Sequence, residues 1–147
     1  LYENAVQQGT PSENWPKTGL ITQFDRSIKI PLAASDTVNE RLTTAQAALQ
    51  TNNRNWLLLS RAAIVLDENG TIQDLNKIAV KCEVPPATFT IEEQPAGLVF
   101  GSGEWPAVLP FPEEWTQNIT RTWFATNLTD IPLTLHISLK FLQVRTN

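Results

Sequence analysis

Acid–base, nucleophilic and transition-metal chemistry near neutral pH draw first on histidine and cysteine, and this chain holds one of each in 147 residues. Cys82 sits in Ile78-Ala79-Val80-Lys81-Cys82-Glu83-Val84, where the even positions are apolar. His136 sits in Leu133-Thr134-Leu135-His136-Ile137-Ser138-Leu139-Lys140-Phe141, where the odd positions are apolar. Alternation of this kind marks a half-buried β-strand. It puts Cys82 on a core face and His136 on a polar face. A serine or cysteine nucleophile would have to recruit His136 as its base, and a histidine on the polar face of a strand is ordinarily exposed or simply hydrogen-bonded. One His and one Cys on different strands make no transition-metal site. Asp67-Glu68-Asn69-Gly70 invites a calcium reading. An EF-hand loop, however, needs glycine at its sixth position and glutamate at its twelfth, and the twelfth residue from Asp67 is Ile78. Gly101-Ser102-Gly103-Glu104 lacks the Lys-Ser/Thr ending and the following helix of a phosphate loop. The expectation is a chain with no catalytic residues, metal or cofactor.

Binding chemistry concentrates between Phe100 and Trp115, where Trp105, Phe111 and Trp115 interleave with Glu104, Glu113 and Glu114. Flat aromatic faces beside carboxylates stack on sugar rings and accept hydrogen bonds from their hydroxyls. The same composition serves protein interfaces, where rigid aromatic anchors bury large areas at low entropic cost. It also serves to plug the end of a sandwich core. A glycosidase pair built on Glu104 or Glu113 is the least favoured use, because so short a chain has little material for a deep cleft. The candidate interface or ligand residues are therefore Trp105, Phe111, Trp115 and Glu104, with Trp15 near the N-terminus as a further aromatic contact.

Composition narrows the partners. The net charge is −4, and it is uneven: residues 1–82 carry eight acidic and eight basic side chains, residues 83–147 seven and three. No clustered positive field of the kind that displaces counterions from nucleic acid is visible. No run approaches the eighteen or so apolar residues of a membrane helix. No signal-peptide hydrophobic region is seen. The chain opens on Leu1 rather than methionine, as expected of a processed, trimmed or partly observed product. A lone cysteine makes no internal disulfide, so the fold does not rely on an oxidising compartment. The sequons at Asn69, Asn118 and Asn127 are about as many as chance supplies.

The elements that would position these residues are mostly strands. Residues 1–19, with Trp15-Pro16, read as an extended N-terminal arm, and 20–147 as one domain. Phe24, Arg26, Ile28, Ile30 and Leu32 alternate along a first strand. Thr37-Val38-Asn39-Glu40 has capping-box spacing, and Val38, Leu42, Ala45 and Leu49 fall on one helical face, predicting a short helix near residues 38–50. Trp56–Leu66 and Thr71–Val84 read as a hairpin about Asn69-Gly70. Short strands follow at Thr88–Glu92 and Leu98–Phe100. A second hairpin joins Ile119–Leu128 to Leu133–Arg145 about Thr129–Pro132, with a bulge at Phe141-Leu142. About seven strands without strand–helix alternation predict an all-β, mainly antiparallel β-sandwich or jelly-roll-like domain.

The function expected of such a chain is non-catalytic: a structural or interaction subunit that assembles with copies of itself or with a protein scaffold. A virion component, decorating a capsid or associated with a tail, is its most concrete form, located in the virion or assembled particle. Nucleic acid and membrane are not expected partners. The alternative is a carbohydrate-binding module that uses the aromatic-rich loop.

Overall fold

The computed structural model describes residues 21–34, 43–84, 88–102 and 104–144. Nine strands form in chain order: β1 (Ile21–Leu32), β2 (Thr44–Gln50), β3 (Asn55–Asp67), β4 (Ile72–Gln73), β5 (Ile78–Val84), β6 (Thr88–Pro95), β7 (Ala107–Trp115), β8 (Thr120–Asn127) and β9 (Leu133–Val144). One sheet has the order β1-β9-β3, with β7 and the two-residue β4 on the far edge of β3; the other has the order β2-β8-β5-β6. With β4 set aside, the eight main strands pair from the outside inward: β1 with β9, β2 with β8, β3 with β7 and β5 with β6. Successive pairs fall in alternate sheets, and β9 with β3 and β8 with β5 complete the two layers. This is one long antiparallel ribbon rolled into a sandwich, the jelly-roll wrap. All named strand pairings are antiparallel.

The strand alternation builds the core. Ile28, Ile30 and Leu32 of β1, Ala63 and Val65 of β3, Ile78, Val80 and Cys82 of β5, and Leu133 through Phe141 at every second position of β9 are buried in one cluster. Each of the Val, Leu, Ile and Phe side chains among them contributes roughly 1.5–3 kcal/mol on leaving water. One end of the core is aromatic. Phe24 stacks on its cross-strand partner Phe141 at 5.3 Å, Trp56 lies parallel to its partner Trp115 at 6.5 Å, and Trp115 meets Phe141 edge-on at 4.9 Å. Arg26 follows the apolar side of β1 yet remains exposed, because its guanidinium caps this cluster 5.3 Å from both the Phe24 and Trp56 rings.

Several local expectations change. The described half of the 38–50 segment is not a helix: Thr44–Gln50 is β2, paired along its length with β8, and its burial alternates with Ala45, Ala47 and Leu49 inward. Those three residues satisfy a period of two, and sheet pairing outweighs the helical spacing of Ala45 and Leu49. Residues 35–42, including the Thr37–Glu40 box, lie outside the described residues, as does the 1–19 arm.

The Asp67–Gly70 turn forms as expected. Gly70 adopts φ +78°, and its N–H donates to the Asp67 carbonyl at 3.1 Å. The returning strand is only Ile72-Gln73, however. Asp74 then caps a 3-10 turn at Leu75–Lys77 by accepting from the Asn76 N–H at 2.8 Å, and the chain crosses to the other sheet as β5. Likewise β8 and β9 occupy different sheets, so the Thr129–Pro132 connection is an arch rather than a hairpin. Asn127 fixes it. Its buried side chain donates to the carbonyls of Ile131, at 2.7 Å, and Ala33, at 3.3 Å, and accepts from the Thr129 N–H. With Asn127 fully enclosed, its sequon is inaccessible in the folded chain. The bulge lies on β3 at Leu59, opposite Lys140 and Phe141, and not within β9.

Candidate interaction surface

The site grows out of β7, which pairs with β3 on one side and, among the described residues, forms the far edge of its sheet. Its register with β3 breaks between Leu58 and Ser60: Leu58 faces Glu113, and Ser60 faces Val108. One β3 residue therefore spans four β7 residues, Leu109-Pro110-Phe111-Pro112, which loop away from the ladder. Proline has no N–H to donate to a ladder, so an edge strand is where Pro110 and Pro112 can be accommodated. Leu109 packs toward the core, while Phe111 stands between the prolines at 78% exposure. Val108 beside it is 72% exposed.

The loop ahead of β7 adds to this edge. The Arg61 Nε–H donates to the Val99 carbonyl at 2.8 Å, and the Ala63 N–H donates to the Gly101 carbonyl at 2.9 Å, seating Val99–Gly101 beside β3. Gly101 is needed there for space, because a Cβ would collide with the backbone of Trp105, Pro106 and Ala107. The Trp105 N–H donates to Ser102 Oγ at 2.9 Å, and the indole is left 77% exposed. Leu98, on the same connection, is 73% exposed. Exposed hydrophobics scattered singly are ordinary on a protein surface. Four fall between Leu98 and Phe111, on β7 and the connection that leads into it, and apolar exposure gathered in one stretch is the kind that contact sites use.

Charge frames this stretch. Glu104 and Glu114 are exposed, whereas Glu113 is held by Arg121 of β8, whose Nη1 lies 3.0 Å from Oε1. That ion pair ties the two sheets together, and the Arg121 guanidinium covers the Trp115 ring at 4.7 Å. Arg61 is half-buried. Burial pushes its guanidinium below the ordinary arginine value, with Glu113 pulling the other way.

The residues singled out from sequence thus separate. Trp105, Phe111 and Glu104 lie exposed along the β7 edge. Trp115 does not: it is 2% exposed, facing inward among Trp56, Phe141 and Arg121, so it belongs to the core end rather than to a surface. The reason is parity, since residues 113–115 re-enter the ladder after the bulge with Trp115 opposite the inward Trp56. Trp15 lies outside the described residues. Val108 and Leu98 join the stretch without having been singled out. Pro110 and Pro112 flanking an aromatic were the available signal of an edge strand. Cys82 and His136 fall as the alternation requires, Cys82 buried in β5 and His136 half-buried on the outer face of β9 in the other sheet. The two do not meet.

No protein-family model and no curated protein matches the chain. Among solved structures, a similarity of 13% identity covers 90% of this chain and 86% of a chain in the cryo-EM structure of the giant freshwater prawn Macrobrachium rosenbergii extra small virus (XSV) VLP, with a TM-score of 0.25. The jelly-roll assignment rests on the strand order and registers, not on that likeness.

Proposed function

We propose that the chain is a non-catalytic structural subunit that assembles through the β7 edge, most concretely as a building or decorating component of a virion or comparable particle. The observation that carries this reading is the β7 edge and the loop ahead of it, where Phe111 between two prolines, Val108 and Trp105 are each more than 70% exposed to water. A jelly roll is a fold used for shells and for lectins alike, so the fold contributes only analogy. The edge contributes chemistry. An aromatic side chain offers on the order of 200 Å² to a partner, and burying the 78% of Phe111 that is exposed would remove about 150 Å² from water. That is worth up to about 4 kcal/mol before association costs, and about 2 kcal/mol or more survives for an anchor at an interface centre.

Sedimentation of the purified chain tests the reading. The expected result is a multi-subunit species that shifts toward monomer in Phe111→Ala and Trp105→Ala, with melting temperatures unchanged. A wild-type chain that stays monomeric at micromolar concentration, without a protein partner, would overturn it. If the tryptophan fluorescence of that monomer shifted on adding oligosaccharide, and the shift vanished in Trp105→Ala, the exposed Trp105-Glu104 pair would be a carbohydrate platform instead.

A further inference from the structure

The outward face of the β1-β9-β3 sheet carries a second feature, independent of the β7 edge. Its registers stack three rows across three strands. Ser27, Ser138 and Ala62 form a row of small side chains. Lys29, His136 and Ile64 form the row on one side, and Asp25, Lys140 and Ser60 the row on the other. Small residues between taller ones leave a depression of about 310 Å³, floored by the three strands and lined by Ser27, Lys29, Ala62, Ile64, His136 and Ser138. This is within the volume range of small-ligand sites.

The lining is mostly apolar and holds no acid, and its polar side chains all offer hydrogen-bond donors. Lys29 brings an ammonium with three donors, His136 a ring N–H, and Ser27 and Ser138 a hydroxyl each. Lys29 and His136 are directly opposed, and cross-strand neighbours stand about 5 Å apart at Cβ. Neither takes part in an ion pair among the described residues, where the pairs are Lys81–Glu83 and Arg121–Glu113. Asp25 is the one carboxylate in the three rows. It pairs directly with Lys140 in its own row, on the far side of the small row and about 13 Å along β1 from Lys29 at strand rise. β3 presents no charge to the depression, since its outward residues there are Ser60, Ala62 and Ile64. An anion seated between Lys29 and His136 gains charge-assisted hydrogen bonds from the ammonium and the ring N–H.

From this arrangement we infer that the depression is an oxyanion site, taking a phosphate group through Lys29, His136 and the hydroxyls of Ser27 and Ser138. The phosphate group is either free or carried on a polymer. Binding involves no covalent step.

Equilibrium dialysis with labelled inorganic phosphate, at fixed pH and ionic strength, tests this whatever the assembly state of the chain. Saturable uptake of one phosphate per chain is expected. Lys29→Ala and His136→Val should each weaken it by about tenfold or more, the effect of removing one hydrogen bond to a charged group. Lys29→Arg should retain it, and unchanged melting temperatures would show that the variants fold. A short uridine oligonucleotide that displaces the label at lower concentration than free phosphate does would identify a polymer-borne phosphate. Displacement no better than by free phosphate would identify a free oxyanion. Uptake that is not saturable, or that is the same in Lys29→Ala and His136→Val as in the natural chain, would overturn the site. Loss of assembly in Phe111→Ala would leave this result untouched, so the two proposals fail separately.

Discussion

Trp115→Ala separates a core tryptophan from a surface one, and its cost follows from what the ring touches. Truncating a buried tryptophan in a core typically costs about 3–5 kcal/mol, the sum of lost transfer energy and the cavity left behind. Trp115 lies parallel to Trp56 and edge-on to Phe141, and such aromatic pairs add about 0.5–1.5 kcal/mol each beyond area. Arg121 over its face adds about 0.5–1 kcal/mol more. One term runs the other way. The Trp115 indole N–H is buried with no acceptor among the described residues, and deleting an unmet donor returns about 1–3 kcal/mol. The balance is a destabilisation of roughly 3–5 kcal/mol. For a chain of 147 residues the unfolding entropy is about 0.3 kcal/mol/K, so the melting temperature should fall by about 10–15 °C. Calorimetry or a thermal circular-dichroism melt reads this directly. Trp105→Ala, at an exposed position, should move it by less than about 2 °C. A Trp115→Ala chain that melts with the natural one while losing assembly would refute the reasoning and return Trp115 to the interface.

Cys82, buried in the core cluster, should label slowly with a thiol reagent in the native state, and Cys82→Ala should cost about 1 kcal/mol; rapid labelling would show that this face opens. Gly101→Ala places a Cβ against the backbone of residues 105–107, so it should destabilise the chain by roughly 1–3 kcal/mol and broaden or shift the Trp105 signal in a nitrogen–proton NMR spectrum, whereas an unchanged spectrum would mean that the loop yields easily. The Asp67 carboxyl is held below its ordinary value, chiefly by the Thr71 N–H and further by the Asn69 N–H and Gln73, each at 2.8–2.9 Å. Its stabilisation is complete above the ordinary aspartate range and is lost as pH falls through the lowered folded value. The melting temperature of Asp67→Asn should therefore fall less steeply below about pH 4 than that of the natural chain, and parallel curves would remove Asp67 from the acid response.

The face assignments of β1, β5 and β9 were legible in the sequence because alternation is local: whether residue i and residue i+2 share a side depends only on an extended backbone. The same locality placed Cys82 inward and His136 outward, and the Asp67–Gly70 turn was legible because a positive φ demands glycine. The helix expected near 38–50 shows where local evidence divides. Ala45 and Leu49 satisfy both a helical and a strand period, and β8, drawn from the other end of the chain, decides the matter for Thr44–Gln50. Pairing partners are non-local throughout. The turn after β3 returns only two residues before the chain leaves for the other sheet, and β8 and β9 separate for the same reason. The candidate surface follows this pattern. That residues 100–115 carry binding-type side chains was written in composition. That Trp105 and Phe111 face water while Trp115 faces Trp56 depends on a four-residue bulge against β3 and on β7 having no second neighbour among the described residues. The sequence by itself determined which side of each strand is apolar. Only the tertiary structure decided which strands meet and which edge stays open, because those choices are made by contacts between residues far apart in the chain.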